Sequence, residues 1–291
     1  MAGDDPGLAA VLAAVGATTD ALLGFGGEAR VYALDAERVV RVLHPGGRAD
    51  HIRRRQTLVD ELLSAGAPFA LPEVLDVGEI DGRVFAIERR LAGHSLMDEL
   101  AVSTGAGRRR LIDAHLDAAA ALGDLHLAPR PGFGDLVYDD GIIAPTWRGY
   151  LERKATANLA ASTPQLRTID PIALSAALPD TNTAAFVHLD AFAGNMLTNG
   201  TRITAVLDIG ATSIAGDRRL DPLACAVYLA SPDITPTATP ADADAAKGWL
   251  RNAGLAEWFE PARRWLAGFW SFAHDDPNVL AFCEEVLLQA K

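Results

Sequence analysis

The order of apolar and polar positions divides the chain in two. Between residues 19 and 90 the pattern is short and alternating: LLGFGGEARVYAL, ERVVRVLH and VFAIERR are β-like runs, separated by turn residues at Asp35, Pro45-Gly46-Gly47 and Asp81-Gly82. Such runs predict strands. Between the second and third lies ADHIRRRQTLVDELLSAGAP, a helical stretch that stops at Gly66. From about Gly93 the apolar spacing changes to steps of three and four. RRRLIDAHLDAAAALGDLH places Leu111, His115, Leu116, Ala119, Leu122 and His126 on one helical face; TWRGYLERKATANLAAS is a second helix and LDPLACAVYLA a third. PARRWLAGFWSF opens with Pro261 in its first turn and carries Trp265, Phe269 and Phe272 on one side. Residues 231–245, SPDITPTATPADADA, break the periodicity and are expected to form a mobile loop. The first residues predict a short surface helix with Pro6 in its first turn. The economical architecture is α+β and bilobal: a small β-rich lobe with one main helix over residues 1–90, then a larger α-helical lobe over 91–291.

Within the strand-rich part, ERVVRVLH carries a single cation. Side chains alternate along a strand, so Arg41 shares a face with Val39 and Leu43, opposite Val40 and Val42. Taken alone, this is the pattern of an edge-strand arginine reaching solvent.

Composition changes that picture. The only lysines are Lys154, Lys247 and Lys291, so any task usual for lysine in the first half falls to arginine. The net charge of −12 argues against nucleic acid or an anionic membrane as partner and suits a cationic ligand. No apolar run is long enough to span a bilayer, and Asp4 and Asp5 stand where a secretory signal would be positive. Cys225 and Cys283 lie far apart in apolar helical contexts, without metal-ligand spacing. They read as buried free thiols of a reducing cytoplasm.

The chemistry concentrates in residues 186–224, FVHLDAFAGNMLTNGTRITAVLDIGATSIAGDRRLDPLA. His188 and Asp190 precede Asn195, and Asp208 follows the strand-like ITAVLD. Asn199-Gly200 predicts a hairpin that brings Asn195 and Asp208 to the same end. Two oxygen ligands, one anionic, suit Mg²⁺, which keeps waters and shares phosphate oxygens with its substrate. Asp190 stands beside them, free to accept a proton from an attacking hydroxyl.

These motifs resemble the aminoglycoside phosphotransferase and choline kinase group of small-molecule kinases, which share the bilobal protein-kinase-like fold. HLDAFAGN is similar to that group's H-x-D-x-x-x-x-N catalytic loop, LDIG to its metal-binding Asp-x-Gly, and GDRRLDPLA to the stretch that follows, with Asp217 and Asp221 as structural acids. GFGGEARVYAL resembles the glycine-rich strand turn, LPEVLDVG a following strand and AIERRLAGHSL the hinge. The resemblance implies Asp190 as catalytic base, His188 as support for its loop, and Asn195 and Asp208 as Mg²⁺ ligands. It also implies ATP or GTP bound by Gly24, Gly26, Gly27 and Arg41, with the base read by backbone groups around Glu88, Arg89 and Arg90. The acceptor would be a hydroxyl of a small molecule such as an aminoglycoside antibiotic or an amino alcohol, cationic classes that the net charge suits.

Several positions depart from the pattern. The sixth position of the glycine turn is Ala29, Glu28 stands at its tip, and Leu189 replaces a glycine of the catalytic loop. Arg41 occupies the place of the phosphate-binding lysine. On the small-lobe helix Ile52, Val59, Leu62 and Leu63 define the buried face, with Arg55 and Gln56 turned inward and Glu61 turned to solvent. The glutamate that steadies the lysine is therefore expected to be missing or supplied from elsewhere, leaving the charge of Arg41 for the nucleotide. These losses keep open a second reading, a degenerate kinase fold that binds nucleotide or acts as a scaffold. A protein kinase is disfavoured because no A-P-E segment follows LDIG. Trp249, Trp258, Trp265 and Trp270 with Asp275, Asp276, Glu284 and Glu285 hint at a cationic acceptor, although packing accounts for the tryptophans individually.

Overall fold

The computed structural model describes residues 5–289. Helix α1 (Pro6–Val15) is capped by Asp5, whose carboxylate accepts the Leu8 N–H at 3.0 Å, and ends at Gly16 with φ 77°. Strands β1 (Leu22–Phe25), β2 (Ala29–Ala33), β3 (Arg38–Leu43), β4 (Val74–Ile80) and β5 (Arg83–Arg89) form one antiparallel sheet ordered β1-β2-β3-β5-β4. Helix α2 (Ala49–Ser64) lies between β3 and β4 in sequence. Strand β3 is central, flanked by Val31 and Ala86 at Arg41, so the edge-strand reading of that arginine is overturned. The alternation holds: Val40 and Val42 pack with Tyr32 and Phe85 against Leu8, Val11 and Leu12 of α1, whereas Leu43 packs with Ala86 against Ile52 of α2.

The rest of the chain is mainly helical. In order it contains β6 (His94–Ser95), α3 (Leu96–Val102), α4 (Gly105–Gly123), β7 (Phe133–Asp135), β8 (Ile143–Ala144), α5 (Trp147–Ala160) and α6 (Pro171–Ala176). There follow β9 (Ala185–Val187), β10 (Met196–Thr198), β11 (Ile203–Val206), β12 (Ile214–Gly216), α7 (Leu220–Leu229), α8 (Pro240–Asn252), α9 (Phe259–Trp270) and α10 (Pro277–Leu288). The short strands make two small sheets, β11-β10-β6 and β8-β7-β12-β9. Leu116, Leu151, Val227 and Trp265 anchor the main core, and Leu58, Val59 and Leu62 of α2 join it. Helix α2 thus has two packed sides, the sheet on one and the helical lobe on the other.

Three expectations need correction. Residues 240–245 are the start of α8, because Thr239-Pro240-Ala241-Asp242 is a capping sequence: Asp242 Oδ2 accepts the Thr239 N–H at 2.7 Å. Asp242 is also buried against Arg108, at 2.6 Å. His126 is exposed, because α4 ends at Gly123 before its phase would turn it inward. Phe272 is 42% exposed beyond the end of α9, while Trp265 and Phe269 stack at 5.5 Å within the core. Both cysteines are free and buried, as expected. No helix of the described residues is long and apolar enough to cross a membrane.

Candidate active site

Strand β9 delivers the chain into the segment His188–Asn195. The His188 ring is buried; its Nδ1 accepts the Asp190 N–H at 3.2 Å, so Nε2 is the protonated nitrogen and donates to the Leu207 carbonyl at 2.8 Å. His188 therefore ties the loop carrying Asp190 to the strand that ends at Asp208. Leu189 holds φ 64°, a left-handed conformation that costs a non-glycine residue about 1–2 kcal/mol. Two groups hold it there. Asp221, in the first turn of α7, accepts the N–H groups of His188 and Leu189 at 2.8 Å each. Tyr228, two turns along the same helix, donates its hydroxyl to the Leu189 carbonyl at 2.6 Å and accepts Trp270 Nε1–H at 2.8 Å. The leucine side chain is fully buried, so packing also favours the conformation that glycine would reach freely.

Asp190 and Asn195 meet directly: Asn195 Nδ2 donates to the Asp190 carboxylate and to its carbonyl, both at 2.9 Å. Burial and the nearby Asp208 carboxylate push the Asp190 carboxyl well above its ordinary range, with the Asn195 donor a smaller opposing effect. The hairpin β10–β11 forms as expected, and the Leu207 N–H reaches the Asn195 carbonyl at 2.8 Å, fixing Asp208 one residue beyond. The Asp208 carboxylate is only partly exposed and its loss of water works against ionisation, but Arg41 and Arg55 outweigh this and hold its carboxyl below the usual range. Asn195 Oδ1 accepts no hydrogen bond from the described residues. An ionised carboxylate and a free amide oxygen are the hard donors that Mg²⁺ prefers, with phosphate and water left to complete its shell. The described residues contain no cluster of three or more His, Cys, Asp or Glu side chains able to hold a metal without such help.

Arg41 reaches this centre from β3. Its Nη1 lies 3.1 Å from Asp208 Oδ1 and its Nε 3.2 Å from Glu88 Oε1. The same glutamate oxygen is paired with Arg55 Nη2 of α2. The steadying glutamate is thus present but comes from β5, and the expectation that Arg41 is left without a counter-charge is corrected. Arg55 faces inward, in keeping with the helical pattern. Glu61 does not face solvent: it pairs with Arg130 and accepts the Ala128 N–H, because α2 packs against the helical lobe as well as the sheet. The sequence points to Glu88 for its backbone, yet its side chain is the buried feature. The N–H groups of Arg89 and Arg90 are engaged by the Glu73 and Glu37 carbonyls, at 2.9 and 2.7 Å.

The glycine turn joins β1 to β2. Gly26 N–H bonds the Ala29 carbonyl at 3.0 Å, and nothing lies within 4 Å of where a Cβ would stand on Gly24, Gly26 or Gly27. Open space beside these residues lets a ligand approach the backbone closely. Ala29, at the sixth position, is buried in the small-lobe core. Glu28 accepts the Tyr138 hydroxyl at 2.9 Å, and Asp139 pairs with Arg54 of α2, so the β7–β8 turn reaches across to the small lobe. Burial, reinforced by Glu28, raises the Tyr138 phenol. Sequence reasoning missed Tyr138 and Tyr228; a polar ring inside LDPLACAVYLA was the available signal for the second. Of the aromatic and acidic residues near the C-terminus, Trp265 is buried, Asp276 caps α10 and Glu285 pairs with Arg263 at 2.8 Å.

Comparison with known proteins identifies the family and the fold. The family model described as the phosphotransferase enzyme family matches residues 21–269. No curated protein matches the sequence. Among solved structures, the streptomycin–ATP–APH(2'')-IIa ternary complex superposes with a TM-score of 0.61 at 16% identity, covering 100% of this chain and 98% of that one. ADP-bound aminoglycoside phosphotransferase APH(2'')-Ib gives 0.61 at 15% identity, covering 91% and 93%. A putative fructosamine-3-kinase from Haemophilus somnus gives 0.58 at 13% identity, covering 90% and 88%. At these identities the superpositions establish the protein-kinase-like fold. With a family match over most of its length, the chain belongs to the phosphotransferase enzyme family, the small-molecule kinases that its motifs resemble.

Proposed function

We propose that the protein transfers the γ-phosphate of ATP or GTP to a hydroxyl of a small, cationic molecule of the aminoglycoside or amino-alcohol class. Residues 1–90 form the nucleotide lobe, and residues 91–291 carry the base and the acceptor site. The observation that carries this reading is the convergence of Asp190, Asn195, Asp208 and Arg41 from three segments of the chain on one centre. In it, Asp190 accepts the proton of the attacking hydroxyl, and burial beside Asp208 raises its affinity for that proton. His188 sets the loop geometry and touches no substrate. Asn195 and Asp208 would hold Mg²⁺, which supplies charge neutralisation and alignment for the phosphate oxygens. Arg41 offers two donors to the α- and β-phosphates. The net charge of −12 and the aminoglycosides in the neighbours' complexes support a cationic acceptor. The ADP, ATP and GDP complexes among those neighbours support a purine nucleotide.

The test is a screen for ADP or GDP release over aminoglycosides, macrolides, amino alcohols and sugars, with the product identified by mass. One class should stimulate release and gain a phosphoryl group. A library that never exceeds background would favour the nucleotide-binding scaffold.

A further inference from the structure

The two partners of the nucleotide-lobe ion pair have exchanged elements. In the kinase pattern the strand cation faces a glutamate on the helix, and the two charges cancel. Here the helix residue facing β3 is Arg55, and the carboxylate is Glu88 on β5. Strand register explains why Glu88 can serve. Arg41 stands opposite Ala86 and Val39 opposite Glu88, so Glu88 is the diagonal neighbour of Arg41 on the same face of the sheet. Diagonal neighbours are about 7–8 Å apart at the backbone, within reach of long side chains. Both guanidinium groups converge on the single oxygen Oε1, Arg41 Nε at 3.2 Å and Arg55 Nη2 closer. Glu88 is 4% and Arg55 8% exposed at the side chain; Arg41 Nε and Arg55 Nε are both buried without a hydrogen-bond partner, so Glu88 holds Arg41 by charge at 3.2 Å and not by an aligned hydrogen bond.

One carboxylate cannot balance two guanidinium groups. Asp208 pairs with Arg41 Nη1 as the acid of a strand-lysine site would, so the charge that Arg55 adds has no carboxylate of its own. We propose that Glu88 is the positioning residue for Arg41 and that Arg55 makes the phosphate site one positive charge richer than a strand-lysine, helix-glutamate pair. The inference rests on the phosphotransferase reading and deepens it by naming what grips the triphosphate. Arg41 is longer than lysine and its fork is planar, so it needs a carboxylate beside Nε to aim both Nη groups at phosphate. Glu88 supplies that charge beside Nε, as an ion pair from the neighbouring strand. Arg55 couples the same carboxylate to α2.

Because the surplus charge acts on phosphate, its removal should be felt in proportion to phosphate number. The test is calorimetric binding of adenosine, ADP and ATP, and of the guanine series, to the full chain in Mg²⁺. Arg55→Met should raise the triphosphate Kd about threefold or more and Glu88→Gln about tenfold or more, with nucleoside Kd unchanged and diphosphate intermediate. Should Glu88→Gln fail to fold with two guanidinium groups left buried, Arg55→Met keeps a one-to-one pair and decides alone. Equal weakening of nucleoside and triphosphate, or no change in either, would overturn the assignment. Wild-type protein that bound no nucleotide would refute the phosphotransferase reading itself and the inference with it, a result distinct from variants that match the wild type.

Discussion

Replacing Tyr228 by phenylalanine removes one oxygen from beneath the catalytic loop and nothing else. That oxygen donates to the buried Leu189 carbonyl at 2.6 Å and accepts the partly buried Trp270 indole N–H at 2.8 Å. Two lost hydrogen bonds, with a buried carbonyl and an indole N–H left unmatched, should cost about 2–3 kcal/mol. For a chain of this size that corresponds to a fall in Tm of roughly 5–10 °C. Leu189 is held at φ 64° against about 1–2 kcal/mol of strain, so losing the constraint on its carbonyl releases the residue immediately before Asp190. Turnover should then fall by about tenfold while nucleotide KM stays constant, because the nucleotide contacts lie on the other lobe. Trp270→Phe removes only the outer donor and should show about 1 kcal/mol of destabilisation and a smaller loss of turnover. Thermal unfolding and steady-state kinetics read both effects. A Tyr228→Phe enzyme with lowered Tm and undiminished kcat would show that the hydroxyl supports packing and not the loop; no change in either would refute the reasoning entirely.

Burial raises Asp221 to about 6 from 3.8, so the folded state binds the extra proton between those values and stability should fall as pH rises through that window. Urea unfolding from about pH 4 to 7 should show this component in the wild type and not in Asp221→Asn, although the amide also loses one of the two backbone acceptors and is less stable throughout. Asp242→Ala should cost about 2–3 kcal/mol and lower helix content, because it removes the carboxylate partner of the partly buried Arg108 and uncaps α8. Arg108 and the Thr239 donors outweigh burial and hold the Asp242 carboxyl low, so its contribution is present above the unfolded pKa and is lost as pH falls through the lowered value. The acid limb of turnover should lie above the ordinary carboxylate range, since Asp190 must be ionised and burial with Asp208 opposes this. Raising Mg²⁺ should move that limb to lower pH by offsetting the Asp208 charge; an immobile limb would argue against metal beside the base.

How much of this was legible in sequence follows from the range over which each signal acts. The catalytic loop, its hairpin and the alternation around Arg41 are local, and spacing alone placed Asp190, Asn195 and Asp208 together. Burial of α2 was only half legible, because a helix between two lobes has two packed sides and a single periodic stripe describes one of them. Glu61 therefore has the pattern of a solvated residue until Arg130 and Ala128 arrive from the other lobe. Glu88 stands out in sequence for its position near the hinge, whereas its function as a counter-charge depends on cross-strand register, which no single strand carries. Leu189 has the look of a lost glycine because its support comes from Asp221 and Tyr228, far downstream in the chain. The Thr-Pro-Ala-Asp start of α8 was readable, but proline and threonine around it masked the cap.

The most direct test of the central claim is a single-turnover measurement with Asp190→Ala and the acceptor found by screening, alongside nucleotide binding by the same protein. Phosphoryl transfer should be abolished while the nucleotide Kd stays within about twofold of wild type, because Asp190 bonds Asn195 only through Nδ2 and the change leaves Asn195 Oδ1, Asp208 and Arg41 in place. Unchanged transfer by Asp190→Ala would contradict the account.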